Sequence, residues 1–467
     1  MFSGKLKKTN IIYFLGILQL IVSFILLIVS YRFSPEIQLT ERPVLLFVAI
    51  LISLSLIYLC AVNFRFSSEN VRRLLFYIFV IGVLIRVVML FSVPVLEDDF
   101  NRYLWDGAVS GTGINPYVHS PQQALNDEVE KLGPLKKQAG EILNKINHPH
   151  IRTIYPPVSQ FAFALSYKLA PFNLTAWKLV LLLFDIVTFF LLLYSLRLMK
   201  ISPLNILIYW WNPLLINEVF GSGHPEVLAF PFVIAAFLLI NRKYVISSMG
   251  GLALAVGVKL WPVFLFPLLL KKNSKTFLNL LKPTIIFSVF IGLIFFPLIM
   301  INLDSSSGFI AYSKSWENNS SLFKIFLYTG EQILNYKDIH PGHAQRYTRY
   351  FVALLTIAWV LYQSLKFDKS LFDLFRRSLF IVAAIFLISP TQFPWYYTWM
   401  LPFLAVAPRF SLLLLTTLLP LYYLRYYLEP IGRLDVFNDY VVWIEFIPVW
   451  ILLLLEFGRK KLLANIQ

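Results

Sequence analysis

Three consecutive acids, Glu97-Asp98-Asp99, are followed closely by Arg102, Tyr103, Trp105 and Asp106. On a helix, Asp99, Arg102, Tyr103 and Asp106 fall at i, i+3, i+4 and i+7 and share one face. A carboxylate beside a cation in that arrangement can serve as a general base with an oriented neighbour. The same acids would also suit an ordinary helix start, where the macrodipole favours each by about 0.3–1 kcal/mol. Tyr103 and Trp105 likewise suit membrane-interface anchors. Three acids exceed what one cap needs, so Asp99 and Asp98 both stand as candidate bases.

Further polar groups are spread along the chain. Gly113-Ile114-Asn115-Pro116-Tyr117 is rich in turn formers, and Thr153-Ile154-Tyr155-Pro156-Pro157 ends on prolines that can open a helix. Trp211-Asn212-Pro213 leads through Asn217 and Glu218 to Gly221-Ser222-Gly223-His224-Pro225-Glu226. Ionisable groups inside an apolar segment are functional candidates by default. His224 and Glu226 are only two possible metal ligands, so hydrogen bonding to a substrate is the preferred reading for His224 and no metal or other cofactor is assigned. Lys259 sits where an apolar run breaks. It either snorkels to the interface or faces a phosphate as a charged donor, and Arg86 poses the same choice. Pro394-Trp395-Tyr396 reads as an aromatic belt or as a stacking platform for a sugar ring.

The elements that must position these groups are membrane helices. Of 467 residues, 58% are apolar and only 14% charged, with a mean hydropathy of +0.69. A soluble domain carries roughly a quarter charged residues. Apolar runs at 11–31, 43–63, 73–93, 174–196, 203–221, 225–241, 245–270, 283–302, 347–366 and 440–457, with shorter ones between, suggest about 13 passes of roughly 20 residues each. The segments 158–170 and 246–258 are short enough to be partial passes, tolerated where buried in protein or lining a cavity. The expected fold is an all-α polytopic bundle forming a single membrane domain over 1–467, with surface helices in a long loop at 94–157 and a second long loop at 303–346. Long loops of this kind are usually functional or disordered.

Charge and cysteine content narrow the class. The net charge of +16 comes from short clusters beside apolar runs, such as Lys5-Lys7-Lys8, Arg72-Arg73, Lys271-Lys272 and Arg459-Lys460-Lys461. That is the positive-inside pattern and not a nucleic-acid groove. The single cysteine, Cys60, excludes an intrachain disulfide. The basic start and the run at 11–31, with no small-residue cleavage site, read as a retained anchor. With Lys5–Lys8 and Arg65 cytoplasmic, loops 94–157, 218–226, 303–346, 391–397 and 425–439 all fall on the extracytoplasmic face. Loop 94–157 holds eight acids and six bases and lacks the cytoplasmic bias.

Taken in order, Asp99-x-x-Arg102-Tyr103-x-Trp105-Asp106-Gly107, Gly113-x-Asn115-Pro116-Tyr117, Tyr155-Pro156-Pro157, Trp211-Asn212-Pro213…Glu218…Gly221-Ser222-Gly223-His224, Lys259-x-x-Pro262 and Pro394-Trp395-Tyr396 resemble the GT-C superfamily of multispanning glycosyltransferases. Within it they look most like bacterial polyprenol-phosphomannose-dependent mannosyltransferases. The resemblance implies transfer of a hexose, mannose by analogy, from a polyprenyl-phosphate sugar to a glycan or lipid acceptor with inversion. The reaction would occur on the extracytoplasmic face of a bacterial inner membrane, among membrane lipids. It implies Asp99 or Asp98 as base, Lys259 and then Arg102 toward the leaving phosphate, and Glu218 and His224 on sugar or acceptor hydroxyls. Tyr103, Asp106, Tyr117, Tyr155, Glu226, Trp395 and Tyr396 complete the expected substrate contacts. Two features depart from the family pattern: the acidic loop follows the third apolar segment instead of the first, and Pro225-Glu226 stands where relatives often carry Asp. A transporter or lipid flippase is the alternative, since broken helices and polar residues in the membrane also mark transporters. A non-catalytic assembly subunit is the third reading.

Overall fold

The computed structural model describes residues 2–34, 37–63, 71–273, 278–301, 306–336 and 343–464. Arg65 and positions 303–305 and 337–342 of the second long loop lie outside the described residues, as do the side chains of Lys5, Lys7, Lys8 and Arg459-Lys460-Lys461. Among the described residues the architecture is helical, and the only β pairings are the isolated bridges Arg152–Ser307 and Asn318–Thr391. The chain is an all-α polytopic membrane protein.

Among the described residues, six helices are long and apolar enough to cross a bilayer: Asn10–Phe33, Val44–Asn63, Val71–Leu90, Leu174–Leu198, Asn279–Ile299 and Leu434–Gly458. A seventh crossing is formed if Pro213–Gly221 and Pro225–Asn241, bent by 102°, act as one broken span. Of the other apolar segments that suggested about 13 passes, two lie in the unbroken helices Ala344–Leu365 and Leu371–Ile388, and several of the rest are divided into short helical pieces. Prolines at the head of Trp261–Leu265, Pro394–Tyr397, Leu401–Val406 and Leu419–Leu424 mark several of the divisions. A proline has no N–H to donate and clashes with the preceding turn, so it opens helices and interrupts them. The two expected partial passes are the 13-residue helix Pro157–Leu169 and the 14-residue helix Val245–Val258. At 1.5 Å per residue each spans about 20 Å, less than the hydrocarbon core.

The first long loop folds onto its own helix. Leu132, Leu135, Ala139 and Leu143, from short helices between Glu130 and Asn144, and Ile146 just after them pack on Trp105, Ala108 and Val109 as a satellite core. Trp105 is therefore core rather than interface anchor. The helix Asp99–Gly111 lies closely on Pro157–Leu169. A Cβ at Gly107 would fall 2.5 Å from the Phe163 carbonyl oxygen, and one at Gly111 would meet the Tyr167 ring at 2.8 Å. The two glycines at i and i+4 allow this approach, which brings Asp99 beside Tyr155.

Arg86 neither snorkels nor faces a cavity. Fully buried, it donates from Nε to Asp185 Oδ2 at 2.5 Å and from Nη1 to the Gly82 and Trp210 carbonyls, while Tyr209 donates to Asp185 Oδ1 at 2.5 Å. Its guanidinium lies 3.5 Å from the centre of the Trp210 ring. This pair ties Val71–Leu90 to Leu174–Leu198. Removing one member of a buried pair typically costs 3–5 kcal/mol because the other charge is left uncompensated. Asp185→Ala is expected to lower the melting temperature in detergent strongly, and Arg86→Met/Asp185→Leu to lower it less. Thermal unfolding followed by fluorescence compares the two; equal losses would show that the charges are not coupled.

Candidate active site

The acidic stretch starts as the chain leaves the third span. Asp99 is the first residue of the helix Asp99–Gly111, and Asp98 precedes it. The expected shared face is present, resolved into two pairs. Asp99 accepts from Tyr103 at 3.5 Å, and Arg102 Nε donates to Asp106 Oδ1 at 2.8 Å. Arg102 also holds the Ile151 carbonyl at 2.9 Å. Asp106 takes a further bond from Gln160, which donates to Thr153 as well, and Tyr117 donates to the Tyr155 carbonyl at 2.8 Å. These bonds fix the 153–157 segment so that the Tyr155 hydroxyl reaches Asp99 at 3.4 Å.

Asp99 opens into a cavity of about 560 Å³, within the usual range for a small-molecule site. Arg102, Tyr103, Tyr155, Lys259, Trp395 and Tyr396 line it as well. Asp98 does not; it turns to a hydrogen bond from Asn147. Asp106, Tyr117, Glu218, His224 and Glu226 also stay off the wall and stand behind it. Asp106 holds Arg102, Tyr117 holds the Tyr155 backbone, and Glu226, itself buried, takes the ion pair from Lys259. His224 lies flat on Trp395, with ring centres 4.1 Å apart, and contacts Tyr103 through Nδ1 at 3.2 Å. Gly223 has φ +84°, a conformation that favours glycine, and it turns the broken span so that His224 and Glu226 follow within buried backbone.

Lys259 follows the end of Val245–Val258 and is 19% exposed at its side chain. Its ammonium lies 4.8 Å from the Tyr396 ring centre and 5.8 Å from that of Trp399. Trp399 stacks on both Tyr396 and Trp261. Apolar Leu260, Phe264, Ile385 and Phe386 continue the wall beside it. The lysine thus joins a charged, hydroxyl-lined region containing Asp99 to an apolar one.

Other wall residues carried no sequence signal of their own. Tyr312 bonds to the Tyr396 hydroxyl at 2.8 Å, Trp316 packs on His148, and Arg152 lines the cavity. They are brought in by the Arg152–Ser307 and Asn318–Thr391 bridges, which join the two long loops and the segment before Pro394. Glu97 also faces the cavity, with Oε1 accepting from Tyr426 at 2.8 Å. Trp399, three positions after Tyr396 in successive helical turns, was within reach of helical spacing.

Electrostatics separate the acids. Burial raises the Asp99 carboxyl above its ordinary range, while Lys259, Tyr155, Tyr103 and Arg102 pull it back. Burial and then the neighbouring Asp99 push Asp98 up to about 6. Burial, with Asp99 next, raises Glu97. A half-buried carboxylate between hydroxyls and an ammonium can take a proton from a bound hydroxyl group while a nearby cation meets developing negative charge.

A family model described as alpha-(1->6)-mannopyranosyltransferase, N-terminal domain, matches residues 7–271. That is more than half of the chain, and it takes in Asp99, Tyr103, Tyr155, Glu218, His224, Glu226 and Lys259; Trp395 and Tyr396 lie beyond it. No curated protein and no solved structure matches the chain.

Proposed function

From the premise that the chain belongs to the alpha-(1->6)-mannopyranosyltransferase family, and so is a mannosyltransferase of the GT-C type, we propose that it takes mannose from a polyprenyl-phosphate carrier and places it on the 6-hydroxyl of a glycan or glycolipid acceptor. The observation behind this reading is the cavity that joins Asp99, Lys259 and an apolar wall. A lipid-phosphate sugar has the matching parts: a sugar to lie by Asp99, a phosphate for Lys259 and a chain for Leu260 and Phe264. The transporter alternative gives no account of a carboxylate flanked by two tyrosine hydroxyls at a helix start, and the family does not favour it.

The reaction is a single displacement. The acceptor hydroxyl loses its proton to Asp99 as its oxygen attacks C1; the C1–O bond to the phosphate breaks and the lipid phosphate leaves. Inversion yields an α product from a β-linked donor. The leaving group is already a phosphate, so charge stabilisation by Lys259, with Arg102 beyond it, takes the place of a general acid. The basic clusters beside the apolar runs support an extracytoplasmic face for this reaction. The transporter and the assembly-subunit readings both require that no mannose move.

Purified protein in lipid vesicles, given polyprenyl-phosphate mannose labelled in the sugar and a mannoside acceptor, is expected to form a labelled α-(1→6) disaccharide. Labelled GDP-mannose in a parallel reaction is expected to give none. Transfer from GDP-mannose, or a different linkage by NMR, would refute the corresponding part of the proposal.

A further inference from the structure

His224 and Glu218 were expected to touch substrate, yet they are 1% and 0% exposed and stand behind the cavity wall. His224 Nδ1 lies 3.2 Å from the Tyr103 hydroxyl. Its Nε2 has no hydrogen-bond partner, and neither has Glu218 Oε2; the two face each other at 3.9 Å. The other Glu218 oxygen is committed, since Oε1 accepts from Tyr423 at 2.7 Å and from Asn217 Nδ2 at 2.9 Å. Orphaned buried polar atoms are unfavourable, and a neutral imidazole has one N–H to give. Burial, and then the nearby Lys259 charge, disfavour the imidazolium, so the ring is neutral; Trp395 covers one of its faces.

We propose that the Glu218 carboxylate sets the tautomer of His224, and through it turns the Tyr103 hydroxyl away from Asp99, making Glu218 and His224 positioning residues for the base. This rests on the reading of Asp99 as the base. With the Glu218 carboxylate facing it at 3.9 Å, Nε2 is the favoured place for the imidazole proton. Nδ1 then offers a lone pair, and the single Tyr103 hydrogen goes to it at 3.2 Å in preference to Asp99 at 3.5 Å. Asp99 keeps the Tyr155 hydroxyl and the charge of Lys259. Once Asp99 has taken the acceptor's proton, it can donate to the freed Tyr103 oxygen. The device therefore favours an available base before the reaction and a hydrogen-bonded acid after it.

Glu218→Gln reverses the setting. Tyr423 and Asn217 hold the Oε1 side, so the amide oxygen of Gln takes that place and its NH2 faces His224 Nε2. The imidazole proton must then lie on Nδ1 and donate to Tyr103, whose hydrogen turns to Asp99. Donation to a carboxylate favours its ionised form. The acid limb of the kcat/KM profile is expected to move down by about half a pH unit to one unit, with roughly tenfold slower transfer at the plateau. In a Tyr103→Phe background the same substitution is expected to move neither, because the connecting hydroxyl is gone; such non-additivity marks coupled residues. Nitrogen-15 spectra of histidine-labelled protein, with His224 assigned by its loss in His224→Gln, are expected to show Nε2 protonated in the parent and Nδ1 protonated in Glu218→Gln. An unchanged tautomer, an unmoved acid limb, or the same shift without Tyr103 would each overturn the proposal. The spectra stand apart from turnover: if Asp99→Asn keeps full transfer, the base assignment fails while the tautomer result is read on its own.

Discussion

Asp99→Asn is expected to lower mannosyl transfer by about a thousandfold, within the range that a positioned general base contributes, while Asp98→Asn loses no more than a fewfold. The sequence left the two acids equivalent, and geometry separates them. Asp99 opens into the cavity beside Tyr103 and Tyr155, whereas Asp98 turns to Asn147. The amide keeps the size of the side chain and can still accept from Tyr155, so folding and donor binding are expected to survive. Single-turnover transfer with saturating lipid donor, compared with donor binding, separates a lost base from lost affinity. Equal losses in the two variants would remove Asp99 from its role.

The pH dependence follows from the same surroundings. Burial raises Asp99 above the ordinary carboxylate value and the charge of Lys259 opposes that rise. A base must be ionised to act, so transfer is lost as pH falls through the raised pKa, earlier than an exposed aspartate would require. In Asp99→Asn the residual rate is expected to lose this acid limb. Asp98, held at about 6 partly by the Asp99 charge, is expected to titrate lower in that variant, because its neighbouring negative charge is gone.

What was legible in the sequence was local. Pairs at i and i+4 on one helix, Asp99 with Tyr103 and Arg102 with Asp106, follow from helical spacing, and both form. The helix start at Pro157, the short passes and the break before Lys259 follow from proline placement and run length. Glu97 with Tyr426, 329 positions apart, has no periodic signature, nor has the approach of Tyr312 and Trp316. The approach of Tyr312 and Trp316 depends on two backbone bridges between loops, and main-chain pairing of that kind places few demands on side-chain identity. Glu218 and His224 stand off the cavity wall. Polar residues in an apolar segment suggested substrate contact, but a buried polar group is equally well placed behind a wall that it orients.

Lys259 carries the second large effect. Lys259→Met keeps most of the length of the side chain and removes its charge, and transfer is expected to fall by a hundredfold or more, roughly the loss seen when one donor to a developing negative charge is deleted. The acid limb is expected to move up, since the cation that lowers Asp99 is gone. The substitution also leaves Glu226, buried and paired with Lys259, without its partner, so lost activity alone would not distinguish chemistry from folding. Glu226→Gln in the same chain removes that uncompensated charge. The double variant is expected to regain much of the melting temperature lost in Lys259→Met and little of the transfer, whereas Lys259→Arg is expected to retain more transfer than either. If the double variant recovered both stability and transfer, the lysine would serve only to hold Glu226, and the phosphate would have to be met by Arg102 or Arg152 on the same wall.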